Sequence, residues 1–234
     1  MVGDGMGPAQ VYAGLTANKG SLNLERCTSI GFHKNQASDE YVTDSAAGAT
    51  ALACGEKTYN GAIGVDPNKK AIASILEIAE DHGLATGLVA TCSITHATPA
   101  CFIAHQPSRS MDEEIAHDFM KTDIDVFIGG GRKFFTQRAD GKNLVDTLKQ
   151  KGYQIANSIS EVKAIKSGKL AAFLADEQQS KFSEGRGDEL VQSTEVALRL
   201  LEQNKKGMFM MIEGSQIDWG GHANDTQYIY QRDD

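Results

Sequence analysis

Short apolar runs alternate along this chain with segments of helical periodicity, and this alternation constrains the fold more than any other feature of the sequence. Strands are predicted at residues 27–33, 84–91, 125–128 and 208–212, and near Tyr153 and Leu170. Helices are predicted at residues 8–18, 45–54, 72–79, 112–121, 143–151, 160–165 and 188–204, and a further one begins with Thr98 as N-cap and Pro99 at its first position. Because strands separated by helices pair in parallel, we expect a largely parallel α/β sheet with helices on both faces.

The length and the even pattern of the chain favour one domain. With 234 residues the chain can bury a sizeable core without being divided, so we expect a single α/β domain over residues 1–234. No internal repeat or low-complexity stretch interrupts it. The polar loop at residues 175–187 is too short to be a domain linker.

Composition excludes several classes of protein. The formal net charge of −8 argues against a nucleic-acid surface, although a small phosphate needs only a locally positive pocket, which metal ions can supply. No apolar run reaches about 18 residues, so no membrane span is expected. The first residues lack the basic and apolar regions of a signal peptide. The four cysteines form no C-x-x-C pair, and we expect them to be buried as small apolar side chains.

Both ends of the sequence lead us to expect a truncated chain. An apolar strand should lead into residues 3–5 (GDG), but only Met1 and Val2 precede them. Residues 228–234 (YIYQRDD) stop without a helix cap or a closing element.

Polar residues follow three of the predicted strands, at the point where each strand ends. Asp4, residues 93–96 and Glu213 occupy these positions. Ligands of open parallel sheets bind beyond the carboxyl ends of the strands, so we expect a functional site at this edge.

Ser45 opens a helix of small residues, 45–51 (SAAGATA), directly after Asp44. Free backbone N–H groups at such a helix start can receive an anion. The alternative is that Ser45 or Asp44 is a simple helix N-cap, since both residue types are common caps. No G-x-S-x-G elbow surrounds the serine, so a nucleophilic Ser45 would be activated by a metal ion rather than by a triad.

Residues 213–222 (EGSQIDWGGH) place two carboxylates and an imidazole directly after an apolar strand. Asp218 and His222, four residues apart, are suitable zinc ligands. A solvated loop is the alternative interpretation. Trp219, the only tryptophan of the chain, favours a packed segment instead.

Three further segments carry weaker signals. Asp4 is flanked by glycines and fits a close backbone approach to a ligand, but the G-x-G-x-G run is not a dinucleotide fingerprint. Residues 129–131 (GGG) also raise the possibility of a nucleotide-binding loop, but they fit a tight turn better. The Arg109 guanidinium either grips two phosphate oxygens or faces solvent. The histidines without readable partners, which we expect to be structural or exposed, are His33, His82, His105 and His117.

Several of these segments together resemble alkaline phosphatase. They are residues 2–7 (VGDGMG), 42–47 (VTDSAA), 95–100 (THATPA) and 212–222 (IEGSQIDWGGH), and residues 57–61 (KTYNG) and 129–133 (GGGRK) are also similar to the family's pattern. The serine segment and the Glu-to-His segment are the most specific. The resemblance runs from residue 1 to about residue 227.

The resemblance implies an alkaline-phosphatase-like three-layer α/β sandwich, incomplete in this chain, with two zinc ions and one magnesium ion at the site. Asp4 would bridge the magnesium and one zinc, and Ser45 would be the nucleophile that coordinates the same zinc. Thr98 and Glu213 would hold the magnesium. The ligands of the other zinc would be Asp218 and His222.

The resemblance also implies the reaction, which is hydrolysis of phosphate monoesters through a phosphoserine intermediate. Ser45 would attack phosphorus in line, Arg109 would clamp the phosphate, and a zinc-bound hydroxide would later hydrolyse the phosphoserine. Asp44 and His96 would support these groups without binding a metal, His96 near the magnesium and the phosphate. Family members are commonly homodimers in the periplasm or outside the cell.

The chain also departs from the family. The later portion of family members supplies an Asp-His pair and a further His to the zinc sites, and nothing after His222 matches it. Each zinc would then keep two ligands, so we expect substoichiometric zinc and missing sheet strands. The alternative function is a catalytically incomplete fragment that binds magnesium or phosphate without turnover. A related phosphomutase or sulfatase is a further alternative, but a sulfatase needs a C/S-x-P-x-R motif, and two alanines follow Ser45.

Overall fold

The computed structural model describes residues 1–225 and residue 228. Its strands are β1 (Val2–Gly3), β2 (Ala85–Ser93), β3 (Val126–Gly130), β4 (Gln154–Ala156), β5 (Leu170–Phe173) and β6 (Met208–Gly214). Its helices are α1 (Pro8–Ala17), α2 (Ser45–Cys54), α3 (Ile75–Asp81), α4 (Ala97–Ala100), α5 (Asp112–Asp118), α6 (Arg132–Thr136), α7 (Leu144–Gln150), α8 (Ile159–Ala164), α9 (Glu189–Leu201) and α10 (Gln216–Ala223). The end of the resemblance near residue 227 lies outside the described residues, and so does the predicted uncapped end at residues 228–234 except for residue 228.

The six strands pair in parallel, in the order β1-β6-β2-β3-β5-β4. The expected parallel sheet is therefore confirmed. β6 lies between β1 and β2, with Val2 opposite Glu213 and Ala90 opposite Glu213. This register brings the residues that follow β1, β2 and β6 to the same edge of the sheet.

Helices cover both faces of the sheet, which confirms the three-layer arrangement. All nine residues of β2 are buried, and neighbouring side chains face opposite layers. Leu88 packs into a core under α2 to α7, whereas Val89 packs into a second core under α8 and α9. A continuous apolar run such as β2 is typical of a strand buried on both sides.

The predicted strand at residues 27–33 is wrong. This segment has neither helix nor strand structure, and Ile30 and Phe32 are 89% and 103% exposed. A strand needs a hydrogen-bonding neighbour, and none of the six strands of the described sheet pairs with it.

The start of the predicted helix at Thr98 is also wrong by two residues. The N-cap of α4 is His96, whose backbone is extended at φ −60° and ψ 155°. Its carbonyl accepts the first helical hydrogen bond, from Ala100 N at 3.0 Å. Thr98 and Pro99 consequently lie inside α4, and the Thr98 hydroxyl does not cap the helix.

Two helices near the site were not predicted, α6 and α10. α10 contains Gly220 and Gly221, which have low helix propensity, so its sequence gives no clear helical signal. The cysteines are buried at two positions, Cys92 and Cys101, whereas Cys27 is exposed and Cys54 is partly buried. Among the described residues, no helix has the length and apolar character needed to cross a membrane.

Candidate active site

Ser45 lies at the start of α2, beside the carboxyl end of β1. The N-cap of this helix is Asp44, whose Oδ1 accepts from Ala47 N at 2.9 Å. Ser45 Oγ instead donates to both carboxylate oxygens of Asp4, at 3.2 and 3.1 Å. Because Asp44 performs the capping, the Ser45 hydroxyl points towards Asp4 at the edge of the sheet.

Arg109 faces the site and does not simply face solvent. Its Nη1 donates to Asp44 Oδ2 at 3.1 Å, and its Nη2 donates to His96 Nε2 at 3.1 Å. A guanidinium can only donate, so His96 Nε2 must accept and the ring proton is assigned to Nδ1. Burial, reinforced by the charge of Arg109, lowers the pKa of His96 to about 4. His96 is therefore a neutral imidazole that orients the guanidinium.

Glu213, at the end of β6, is a fully buried carboxylate. Its Oε2 accepts from Ser215 Oγ at 2.8 Å, and the Thr98 hydroxyl interacts with its carboxylate and opposes the rise of its pKa. Burial, with the nearby charge of Asp4, raises the pKa of Glu213 to about 7. Its Oε1 has no hydrogen-bond partner among the described residues.

Asp218 and His222 lie one turn apart on α10. Asp218 Oδ1 and His222 Nε2 are 3.4 Å apart, so one small cation could bind both. The His222 side chain is 79% exposed, and that of Asp218 is 24% exposed. The segment after β6 is thus a packed helix whose first and last turns present these two residues to the site.

Asp4 and Asp218 are brought together by the chain at Gly5. A Cβ on Gly5 would lie 2.5 Å from Asp218 Oδ1. Burial, and next the charge of Asp218, raises the pKa of Asp4 above its usual range. The two carboxylates therefore repel each other across the site.

Other predicted residues occupy the same edge. Trp219 packs edge-on against His96, with ring centroids 5.9 Å apart and planes at 84°. Gly129 and Gly130 are the last residues of β3, and the tight turn lies at Gly131, the N-cap of α6 with φ +91°.

Two residues beside the site were missed by the sequence reasoning. The Cys92 thiol lies 3.5 Å from Glu213 Oε2, and Cys92, His96 and Glu213 place possible ligand atoms within 4.8 Å of one another. Burial, and then Glu213, raises the pKa of Cys92 well above its usual range, so it is a neutral thiol rather than a thiolate ligand. Asn60 accepts from Asp44 N at 2.8 Å, and the two residues are 16 positions apart. The similarity of residues 57–61 (KTYNG) to the family's pattern is the signal that could have indicated this residue.

The electrostatics of the site suit cations. The negative charge of Asp218 acts on Asp4 and that of Asp4 acts on Glu213, and both Asp4 and Glu213 have raised pKa values. A bound cation would relieve this repulsion and would satisfy the orphaned Glu213 Oε1. Carboxylate and hydroxyl oxygens suit magnesium, and carboxylate with imidazole suits zinc. The residues present therefore fit a metal centre.

Comparison with known proteins decides the family. The model of the alkaline phosphatase family matches residues 1–231. The chain belongs to the alkaline phosphatase family. The resemblance found in the sequence is thereby confirmed.

Individual alkaline phosphatases are similar over nearly the whole chain. Alkaline phosphatase 4 of Bacillus subtilis strain 168 is 40% identical over 245 residues, which are 97% of this chain and 52% of the relative. The alkaline phosphatase of Escherichia coli K12 is 32% identical and is covered to 60%. The chain thus spans about half the length of the Bacillus relative.

Solved structures agree with the fold. The alkaline phosphatase from the Antarctic bacterium TAB5 has a TM-score of 0.94 and 44% identity, over 97% of this chain and 68% of that one. A variant of the TAB5 enzyme, with Mg bound in its M3 site, has a TM-score of 0.91 and 43% identity over 97% of this chain and 66% of its own. The α/β fold of this chain is therefore that of the family.

Proposed function

We propose that this chain carries the nucleophile and the phosphate-binding arginine of a phosphomonoesterase, with Ser45 accepting the phosphoryl group. The observation that carries the proposal is the contact of Ser45 Oγ with the Asp4 carboxylate, at 3.1 Å. Asp44, the residue before Ser45, binds the guanidinium of Arg109. The proposed nucleophile Ser45 thus lies next to both the Asp4 carboxylate and the residue that binds the cationic Arg109. Family membership supports phosphate monoesters as the substrate class.

In the proposed reaction, Ser45 Oγ forms a bond to phosphorus while the bond from phosphorus to the leaving oxygen breaks. Ser45 Oγ, which its contact with the Asp4 carboxylate holds in place, gives its proton to solvent, and the departing oxygen takes a proton from water. Arg109 and the N-terminus of α2 stabilise the charge on the equatorial oxygens. Neutral His96 accepts from Arg109 and so holds the guanidinium in place. Water then takes the phosphoryl group from the phosphoserine and regenerates the hydroxyl.

We further propose that the site holds two zinc ions and one magnesium ion. The ligands from this chain would be Asp4, Ser45, Thr98, Glu213, Asp218 and His222. When bound, the ions would neutralise the attacking and leaving oxygens. Glu213 Oε1 has no hydrogen-bond partner in the described part of the chain, and this supports the assignment of Glu213 with Thr98 to the magnesium. His96 offers no lone pair, because Nε2 accepts from Arg109, and this supports a role beside the metals.

The proposal is tested with the purified chain, zinc, magnesium and p-nitrophenyl phosphate at alkaline pH. Ser45→Ala should lower turnover by about 10³-fold or more, since the nucleophile is lost. An acid quench during turnover should leave phosphate on Ser45, as detected by peptide mass spectrometry. Ser38→Ala, at an exposed serine, is the matched control and should behave as the wild type. Retained turnover in Ser45→Ala would contradict the proposal.

A second candidate function is binding of magnesium or phosphate without turnover. The magnesium assignment has Asp4, Thr98 and Glu213 from this chain, whereas each proposed zinc has only two residues, and catalytic zinc normally has three protein ligands. Calorimetric magnesium binding that persists in Ser45→Ala, with no turnover by the wild type, would favour this candidate. Metal analysis should then show zinc below stoichiometry, and two firmly held zinc ions per chain would argue against it.

Family membership also supports two wider proposals, a homodimer and a location in the periplasm or outside the cell. Sedimentation of the purified protein tests the first, and a monomer at all concentrations would contradict it. Fractionation of the source cells tests the second.

A further inference from the structure

The turn at residues 59–62 lies between the segment that leads into Ser45 and the segment that carries Arg109. It is closed by Ala62 N donating to the carbonyl of residue 59 at 3.2 Å. Gly61 has φ +92°, with nothing within 4 Å of an added Cβ. The backbone conformation, rather than crowding, therefore requires glycine in the turn.

Asn60 holds the segment before Ser45 with both ends of its side-chain amide. Its Oδ1 accepts from Asp44 N at 2.8 Å, and its Nδ2 donates to Val42 O at 2.9 Å. Its own backbone N–H donates to Asp39 Oδ1 at 3.0 Å. An ionised Asp in its place could accept from Asp44 N but could not donate to Val42 O.

The other side of the same turn holds the arginine. The carbonyl of Gly61 accepts from Arg109 N at 2.7 Å. Just beyond it, Ile63 and Gln106 form a bridge with hydrogen bonds of 3.0 and 2.9 Å. Two consecutive residues thus connect the backbone at Asp44 to the backbone at Arg109.

These contacts matter because regular structure does not fix the segment itself. Residues 38–44 form neither helix nor strand, and Val42 is 78% exposed. Asp44, whose carboxylate binds Arg109, is therefore fixed on one side by its cap on α2 and on the other by the Asn60 amide. A shift of about 1 Å in a reacting group can lower a rate by about 10²-fold.

We propose that Asn60 is a positioning residue, which aligns Ser45 and Arg109 through the backbone of Asp44 and Gly61 without contacting the phosphate. This inference rests on the roles proposed above for Ser45 and Arg109. It predicts that the amide of Asn60 is required for turnover more than for stability.

The test compares Asn60→Ala with Asn143→Ala. Asn143 caps α7 by accepting from Val145 N at 3.1 Å, so each substitution removes a side-chain amide that binds backbone, but only Asn60 is connected to the site. Asn60→Ala should lower kcat/KM for p-nitrophenyl phosphate by about 10- to 100-fold. Asn143→Ala should leave kcat/KM unchanged below its melting temperature. Thermal unfolding checks that both variants are folded.

A double-mutant cycle separates positioning from general destabilisation. In the Arg109→Ala background the fold-loss caused by Asn60→Ala should be smaller, because the group it aligns is already gone. Equal fold-losses in both backgrounds, or wild-type kcat/KM in Asn60→Ala, would overturn the proposal.

If Asn60→Ala does not fold, Asn60→Asp replaces it, since Asp keeps the acceptor for Asp44 N and lacks only the donor to Val42 O. Wild-type kcat/KM in Asn60→Asp would then overturn the proposal. Ser45→Ala in the same assay shows whether the underlying function has failed instead.

Discussion

At the scale of single residues, the approach of Asp4 to Asp218 depends on the absence of a side chain at residue 5. Gly5 has φ +59°, and an added Cβ would meet the Cα and Cβ of Asp218 at 2.9 Å as well as its Oδ1. Two carboxylates of like charge stay close together only if the backbone allows the approach and a cation offsets their repulsion. The glycine next to Asp4 is therefore a requirement of the proposed metal centre.

We predict that Gly5→Ala separates the two carboxylates and lowers both zinc content and kcat/KM, the latter by about tenfold or more. Metal analysis after gel filtration and the p-nitrophenyl phosphate assay measure these changes. Gly20→Ala is the matched control, because Gly20 has φ +88° but nothing within 4 Å of its Cβ position. It carries the same kind of backbone strain without the clash. Equal zinc content in the two variants would contradict the prediction.

Residue identities in the site were predictable from sequence where a local motif marked them, as at Ser45, Asp4 and Glu213. Contacts between distant residues were not. Asn60 binds a residue 16 positions away, and His105, expected to be without readable partners, binds Glu77 across 28 positions. Such pairs are set by how α3 and the long loops pack, and neither residue type reveals its partner.

At the scale of elements, the start of α3 is joined to two loops by His105. Its Nε2 lies 2.9 Å from Glu77 Oε1 and its Nδ1 lies 2.7 Å from the carbonyl of Gly64. Glu77 also closes the capping box of α3 with Ser74. A carbonyl and a carboxylate both accept, so both ring nitrogens must donate and His105 is an imidazolium.

The charges around this pair determine a pH dependence of stability. The hydrogen bond to Glu77, opposed by burial and aided by Gly64 and Asp118, raises the pKa of His105 above 6.5. Burial alone would raise the pKa of Glu77, but hydrogen bonds from His105 and Ser74 outweigh it and lower the pKa below 4.5. The contribution of His105 to the free energy of unfolding is fully present below the pKa of histidine in the unfolded chain, and it is lost as the pH rises through the pKa of His105 in the folded protein. The glutamate contribution is lost as pH falls through its folded pKa.

We therefore predict that the free energy of unfolding of the wild type exceeds that of His105→Ala most between about pH 4.5 and 6.5, and that the difference shrinks as the pH rises further. Urea unfolding at several pH values measures it. In the Glu77→Gln background the pH dependence of this difference should be much smaller, because the amide does not stabilise the imidazolium as strongly. A difference that grows above pH 7 would contradict the prediction.

Most helices and strands were predictable from local signals. For α3 the signal is an apolar face followed by Gly83, and for α2 it is a run of small residues with good helix propensity that ends before Gly55. The failures have a common physical cause. Residues 27–33 have a strand-like composition, but a strand exists only with a neighbour, which a single segment cannot reveal. The reverse holds for α10, whose glycines weaken the helical signal while packing of Trp219 and Gln216 against the sheet edge supplies the stability.

At the scale of the whole molecule, the protein has a dense aromatic core and, in residues 27–33, an exposed apolar segment. The Phe127 ring on β3 lies 4.8 Å from that of Phe119 and 5.8 Å from that of Phe173, measured between centroids. It is fully buried in the layer between the sheet and α2 to α7. Phe32, by contrast, is 103% exposed and makes no contribution to this core.

We predict that Phe127→Ala lowers the free energy of unfolding by about 3–5 kcal/mol, because a large cavity opens at the centre of the sheet. Phe32→Ser should change it by only about 0.5 kcal/mol or less, because an exposed side chain loses no packing. Urea denaturation followed by tryptophan fluorescence measures both. If residues 27–33 pack against another part of the protein or a second copy in solution, Phe32→Ser would instead destabilise the protein or weaken concentration-dependent association. Light scattering across a concentration series distinguishes these cases, and a loss of several kcal/mol in Phe32→Ser would show that this segment is part of a core.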